Sequence, residues 1–247
     1  MPVDILLLLV AAAFVAGYID AVAGGGGLIT IPALLLSGMD PLTVLGTNKV
    51  QGMFGSGSAT LAYAAKGHVD LKSQWPAALA SGVGAAGGAL LAFVVPTQIL
   101  ETLLPFLLVA VAIFFAVRPG LGDLDRERRV SPAFFVGFAV PLIGAYDGLF
   151  GPGTGSFFMI AFVTLAGYGV LKATAHTKLL NFSSNIGSLI VFVFGGAVMW
   201  SVGLSMGVAQ FLGARLGAAT AMRFGSRLIR PLLVVTCLAL AAKLLIG

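Results

Sequence analysis

Apolar runs interrupted by short polar or glycine-rich breaks organise this chain from end to end. Residues 3–22 form a run long enough to span a bilayer as a helix, for which about 20 residues suffice. Gly24 to Gly27 break that run, and a shorter apolar piece follows at 28–38. Ser37-Gly38-Met39-Asp40-Pro41 reads as a turn, with Asp40-Pro41 placed to start a helix. A span interrupted by small polar residues is predicted over 42–65, a polar loop over 66–74, and glycine-rich apolar spans over 75–95 and 98–117. The pattern then restarts with a span at 131–150, a break at 151–155 and a short piece at 156–168. Further spans follow at 172–195, 201–221 and 231–246. Continuous apolar runs of this kind favour helices over a barrel, whose strands would alternate.

The restart is a repeat. Asp147 follows Asp20 by 127 residues, Lys178 follows Lys49 by 129, and Gly207 follows Gly82 by 125. The order of features is the same throughout, which indicates duplication. The predicted organisation is a first transmembrane repeat at 1–117, a charged cytoplasmic linker at 118–130 and a second repeat at 131–247.

Composition narrows the class. The chain is 59% hydrophobic and 9% charged, against about 25% charged in a soluble domain, and its mean hydropathy is +1.06. The predicted fold is therefore an all-α polytopic membrane protein with broken helices at the Gly-rich stretches. Its single cysteine, Cys237, excludes an intramolecular disulfide and a Cys-rich metal site. Ala21-Val22-Ala23 resembles a cleavage site, but Asp4 and the lack of Lys or Arg before Lys49 argue against a signal peptide. Residues 3–22 are expected to be a membrane helix.

The net charge of +5 comes mostly from loop arginines. It reads as topology information and not as affinity for nucleic acid. With the linker from Arg118 to Arg129 inside, the loops holding Lys66, Lys72 and Arg223 to Arg230 fall inside too, provided each half has five membrane segments. An odd number per half gives two inverted repeats with both termini outside. The pieces at 28–38 and 156–168 are short for a span and are candidates for re-entrant segments.

Polar groups inside apolar sequence are the candidates for function. Gly24, Gly25, Gly26 and Gly27 in one half, and Gly151, Gly153, Thr154 and Gly155 in the other, leave N–H groups free at the start of the next helix, which attract an anion. Thr47, Asn48, Lys49, Thr177, Lys178, Asn181 and Asn185 would add positive charge and donors. Matching breaks in two repeats point to a transporter's substrate site. Asp20, Asp147 and His176 are candidates for proton coupling. The competing structural reading pairs Lys49 with Asp20 and Lys178 with Asp147 as ion pairs within each half. Gly84, Gly88, Gly213 and Gly217 read as close-packing glycines.

These residues carry a resemblance. Gly17-Tyr18-Ile19-Asp20 with its glycine run, Gly46-Thr47-Asn48-Lys49, Gly144-Ala145-Tyr146-Asp147-Gly148 with Gly151-Pro152-Gly153-Thr154-Gly155, and Ala175-His176-Thr177-Lys178 with Asn181 resemble the TauE/SafE sulfite exporter family. The resemblance covers nearly the whole chain. It implies a permease of the bacterial cytoplasmic membrane that exports sulfite or organosulfonates, and it supplies the sulfur chemistry, which the residues do not.

No GxxxxGK[ST] loop is present, so transport would be driven by a gradient. The alternatives are an anion channel, a carrier of another small anion and, from a different class, an intramembrane enzyme. The enzyme is disfavoured: there is no HExxH, the two histidines are far apart in sequence, and no polar neighbour activates Cys237. No metal or cofactor is expected. The expected partners are a small anion and the lipid bilayer, with a homodimer left open.

Overall fold

The computed structural model describes residues 1–96, 98–99, 124–225, 227–229, 231 and 235. The spans expected at 98–117 and 231–246 therefore fall almost wholly outside the described residues. The described chain is all-helical: α1 Val3–Ala23, α2 Gly27–Leu36, α3 Pro41–Ala65, α4 Leu71–Ala92, α5 Pro132–Leu149, α6 Thr154–Thr164, α7 Val170–Phe194 and α8 Trp200–Phe224. Of these, α1, α4, α5 and α7 are long and apolar enough to cross a membrane. α3 and α8 each have 25 residues but carry more polar side chains, many of them buried inside the protein.

Local chemistry sets the helix ends. Asp40 caps α3 by accepting from Thr43 N–H at 3.0 Å, with Pro41 in the first turn. Asp70 does the same for α4 through Lys72 N–H. That cap starts α4 four residues before the expected 75, and Pro76 sits early in the helix. Within α5, Phe135–Ala139 form a π turn. Pro141 lies just beyond it; it lacks an N–H and would clash with the carbonyl four residues back, so the wider turn accommodates it.

The short helices fold back. α2 has 10 residues, about 15 Å at the helical rise, against a hydrocarbon core of about 30 Å. Its Ile31 and Leu34 share one apolar core with Leu9 and Ala13 of α1. In the same way Phe158 and Phe162 of α6 share a second core with Phe135 and Ala139 of α5, with the Phe135 and Phe162 rings 5.0 Å apart. Each short helix therefore returns along the helix that precedes it.

The two halves interlock. α1 packs against α8, and its counterpart α5 packs against α4; α3 packs against α8, and its counterpart α7 against α4. Glycines make these contacts close. A Cβ on Gly88 would lie 1.9 Å from the Ala145 carbonyl oxygen, and one on Gly213 would lie 2.0 Å from that of Phe14. Gly84 and Gly217 meet the carbonyls of Pro141 and Tyr18 in the same way. Along α1 and α8, Phe14 meets Gly213 and Tyr18 meets Gly217, so these helices run parallel. α3 and α7 run in opposite directions, with Gly46 beside Phe192, Gly52 beside Asn185 and Gly57 beside Phe182.

The charged linker docks on the loop between α6 and α7. Arg126 N–H donates to the Gly167 carbonyl and Arg129 N–H to that of Leu165. Asp125 accepts from Lys172 Nζ at 2.6 Å and from Gly169 N–H at 2.7 Å. These bonds, the lysine's first, hold the Asp125 carboxyl below its ordinary pKa. The pair is exposed, so it contributes at most about 1 kcal/mol.

Candidate functional site

The two glycine breaks meet in the middle of the helical bundle. Gly24 and Gly25 have φ of 75° and 120°, and Gly151 and Gly153 have φ of 88° and 78°. Only glycine adopts these values without strain, so each break can reverse the chain within a few residues. The breaks touch one another: a Cβ on Gly24 would sit 2.6 Å from the Gly155 carbonyl carbon. Gly27 lies beside Pro152. The N-terminal ends of α2 and α6 thus face a common space.

That space is a small cavity of about 30 Å³. Gly25, Gly26, Gly27, Gly151, Gly153, Thr154 and Gly155 from the breaks line it, with Asn48 of α3 and Asn181 and Asn185 of α7. Asp20 and Asp147 border it as well. Ten of the expected binding residues therefore share one cavity. Gly52 and Gln210 also line it, and neither was expected from the sequence. Gln210 is almost fully buried, wedged between Gly17 and Gly55, which both lack a side chain at the contact. An uncharged amide on an otherwise ordinary helix gives no periodic signal; only the two glycines facing it hint that a larger group must fit there.

Lys49 and Lys178 lie just behind the lining, fully enclosed. They pair across the halves. Lys49 Nζ is 3.0 Å from Asp147 Oδ1, and Lys178 Nζ is 3.1 Å from Asp20 Oδ2. Each ammonium also donates to the backbone carbonyl of its aspartate. This corrects the reading that paired Lys49 with Asp20 and Lys178 with Asp147. The physical reason is the interlocked packing, which puts the break of one half against the third helix of the other.

The two aspartates are bonded differently. Asp20 Oδ1 accepts from the N–H groups of Gly25 and Gly26 at 3.0 and 3.1 Å, and its Oδ2 faces Lys178. Asp147 Oδ1 accepts from both Lys49 and the Thr154 hydroxyl, the latter at 2.8 Å, while its Oδ2 is buried with no hydrogen-bond partner. Asn181 Oδ1 and Gln210 Oε1 are likewise buried and unpartnered. Buried polar atoms of native proteins are normally satisfied, so these three acceptor oxygens call for hydrogen-bond donors, water included.

The remaining expected residues are elsewhere. Thr47 Oγ1 accepts from Met199 N–H and ties α3 to the start of α8. Thr177 is buried without lining the cavity. His176 points away toward the linker end: its Nδ1 is 2.8 Å from the Lys172 carbonyl, and its ring packs against Tyr168 and Phe162. Its helical neighbours made it look close to Lys178, but it stands on another face of α7.

Comparison with known proteins agrees with this architecture. The chain is 61% identical over 241 residues to the probable membrane transporter protein ORF9 of Sinorhizobium, covering 98% of this chain and 92% of the relative. It is 46% identical to a probable membrane transporter protein of Haemophilus influenzae, over 98% of this chain and 95% of that one. It is 22% identical to the probable membrane transporter protein YunE of Bacillus subtilis, with 97% of both chains covered. No solved structure gives a significant match. The profile of the sulfite exporter TauE/SafE family matches residues 9–244. With its long apolar helices and a polar site enclosed among them, the chain belongs to the TauE/SafE family and is a multi-pass transporter of the bacterial inner membrane rather than an enzyme.

Proposed function

We propose that the chain is a secondary transporter that exports small sulfur-containing anions, such as sulfite or organosulfonates, and binds them where the two breaks meet. The observation that carries this reading is the convergence of two half-helix N-termini on one polar cavity. The positive ends of two helix dipoles favour an anion there, while the N–H groups of Gly25 and Gly26 already serve Asp20. Lys49 and Lys178 stand directly behind, so a modest movement of either aspartate would present an ammonium to the ligand. The name of the family supplies sulfite as the first anion to test. Purified protein in liposomes should carry sulfite or sulfoacetate faster than sulfate, and a pH gradient should drive accumulation. Flux that only dissipates a gradient, and never concentrates the anion, would favour an anion channel. Accumulation of some other small anion would keep the transporter and change its substrate.

We further propose that residues 1–117 and 131–247 are inverted repeats joined by the linker at 118–130. Two features support this: counterpart helices exchange packing partners between halves, and the counterparts α3 and α7 run antiparallel. A two-fold axis in the membrane plane produces both. The fold-back of α2 and α6 adds one reversal to each half; together with the spans expected from the sequence at 98–117 and 231–246, which fall almost wholly outside the described residues, each half would have the odd count that inversion needs. Reporter fusions after residues 70, 124 and 226 should all read as cytoplasmic. A fusion after 124 on the opposite side from that after 70 would refute the arrangement.

A further inference from the structure

We propose, resting on the anion-transport reading above, that the two Lys–Asp pairs have different jobs: Asp147 Oδ2 is the proton acceptor of the transport cycle, whose protonation releases Lys49 toward the cavity, while Asp20 stays ionised and holds Lys178 in place.

The repeats predict equal roles for the two pairs; their bonding does not. Every oxygen of Asp20 has a donor. Oδ1 takes two backbone N–H groups of its own break and Oδ2 takes Lys178. Backbone N–H groups are fixed donors that cannot turn to another partner as a hydroxyl can. Asp20 therefore doubles as the clamp that shapes the first break. Asp147 makes no bond to backbone N–H groups of its break. Its donors are two side chains, Lys49 and Thr154, both on Oδ1, and Thr154 Oγ1 also sits 2.7 Å from the Gly151 carbonyl to which it can donate instead. Oδ2 is buried without a donor among the described residues, and Asp147 is only 3% exposed on the edge of the cavity.

Among the described residues, few charged or titratable groups surround Asp147. α3 brings Lys49. Across the cavity stands Asp20, already held by Lys178 of α7. The neighbouring Tyr146 hydroxyl is engaged with the Pro152 carbonyl. α4, which packs on α5, and α8 bring no titratable side chain to the lining. Both ammonium groups are occupied, so Asp147, which borders the cavity, keeps a buried and unshared carboxylate oxygen that opposes an anion. A proton delivered from water to Oδ2 makes Asp147 a neutral acid. Lys49 keeps its own proton, loses its counter-charge and gains a reason to turn toward an anion. The proton and the anion therefore bind cooperatively.

Infrared difference spectra of the purified protein during acidification test the proton site without any substrate. Exposed carboxyls contribute to every spectrum, so each variant's spectrum is subtracted from that of the wild type: one protonated-carboxyl C=O band should remain on subtracting Asp147→Asn and cancel on subtracting Asp20→Asn. Should Asp147→Asn fail to fold, the neutralised pair Lys49→Met with Asp147→Asn replaces it. If that difference band cancels on subtracting either Asp147 variant, at every pH, the proposal is overturned. Binding of methanesulfonate, whose charge does not change with pH, tests the coupling. Its affinity should fall up to tenfold per pH unit as the site deprotonates, and Asp147→Asn should bind with little pH dependence. Affinity that follows sodium and ignores pH in the wild type also overturns the proposal. An Asp147 band with no methanesulfonate binding at any pH upholds the proton site and counts instead against the anion reading.

Discussion

Lys49→Ala is expected to leave little folded protein, and only loss of Asp147 should restore it. Removing Lys49 strands the Asp147 carboxylate inside the bundle, where its side chain is 4% exposed. Breaking a buried pair by deleting one partner costs about 3–5 kcal/mol, because an uncompensated charge remains. That is a large share of the roughly 5–15 kcal/mol that stabilises a typical fold. Replacing both partners removes the stranded charge, so Lys49→Ala with Asp147→Ala should regain most of the folded yield. Lys49→Ala with Asp20→Ala should be worse than either single change, since it also strands Lys178. Size-exclusion profiles of the purified variants, together with their thermal unfolding in detergent, decide the matter. Rescue by Asp20→Ala would mean that the pairs lie within each half. If the folded double variant with Asp147→Ala lacks sulfite binding, Lys49 acts on the ligand as well as on the fold.

The second large effect is steric. Gly88→Ala would put a methyl group 1.9 Å from the Ala145 carbonyl oxygen, and Gly213→Ala would put one 2.0 Å from that of Phe14. Neither obstacle is a side chain that can turn away; each is backbone of the facing helix. α4 and α5 would have to part, as would α1 and α8. Overpacking costs about 1–3 kcal/mol where side chains can adjust, and more is expected here. Gly87→Ala is the control, because a Cβ there meets nothing within 4 Å. The expected result is near wild-type yield for Gly87→Ala and loss of most folded protein for the other two. Equal tolerance at all three positions would show that these helix pairs are not packed backbone to backbone.

The reach of the sequence can be judged residue by residue. Apolar runs of bilayer length dictated membrane helices, because a backbone in lipid must satisfy its own hydrogen bonds. The glycine runs marked where helices stop, because only glycine takes the positive φ found at Gly24, Gly25, Gly151 and Gly153. The glycines at 84, 88, 213 and 217 declared close contact, since their spacing lays a smooth strip along one helix face. Local pattern also placed polar residues of α3 and α7 on helices that must bury them.

Tertiary structure alone decided who meets whom. Lys49 and Asp20 share a half, yet Lys49 reaches Asp147, because α3 of one half lies against the break of the other. His176 is two residues from Lys178 but turns to the linker, since adjacent helical positions lie on different faces. Thr47 precedes Asn48, yet one ties α8 and the other lines the cavity. Gln210 and Gly52 joined the site only through the crossing of α8 and α3. The inequality of Asp20 and Asp147 was equally hidden, because it depends on which N–H and O–H groups the folded breaks present to each carboxylate. One-dimensional order fixes what a segment can become. Which side chains share an enclosed space depends on contacts between segments 98 to 158 residues apart, as in the two Lys–Asp pairs, and those exist only once the halves interlock.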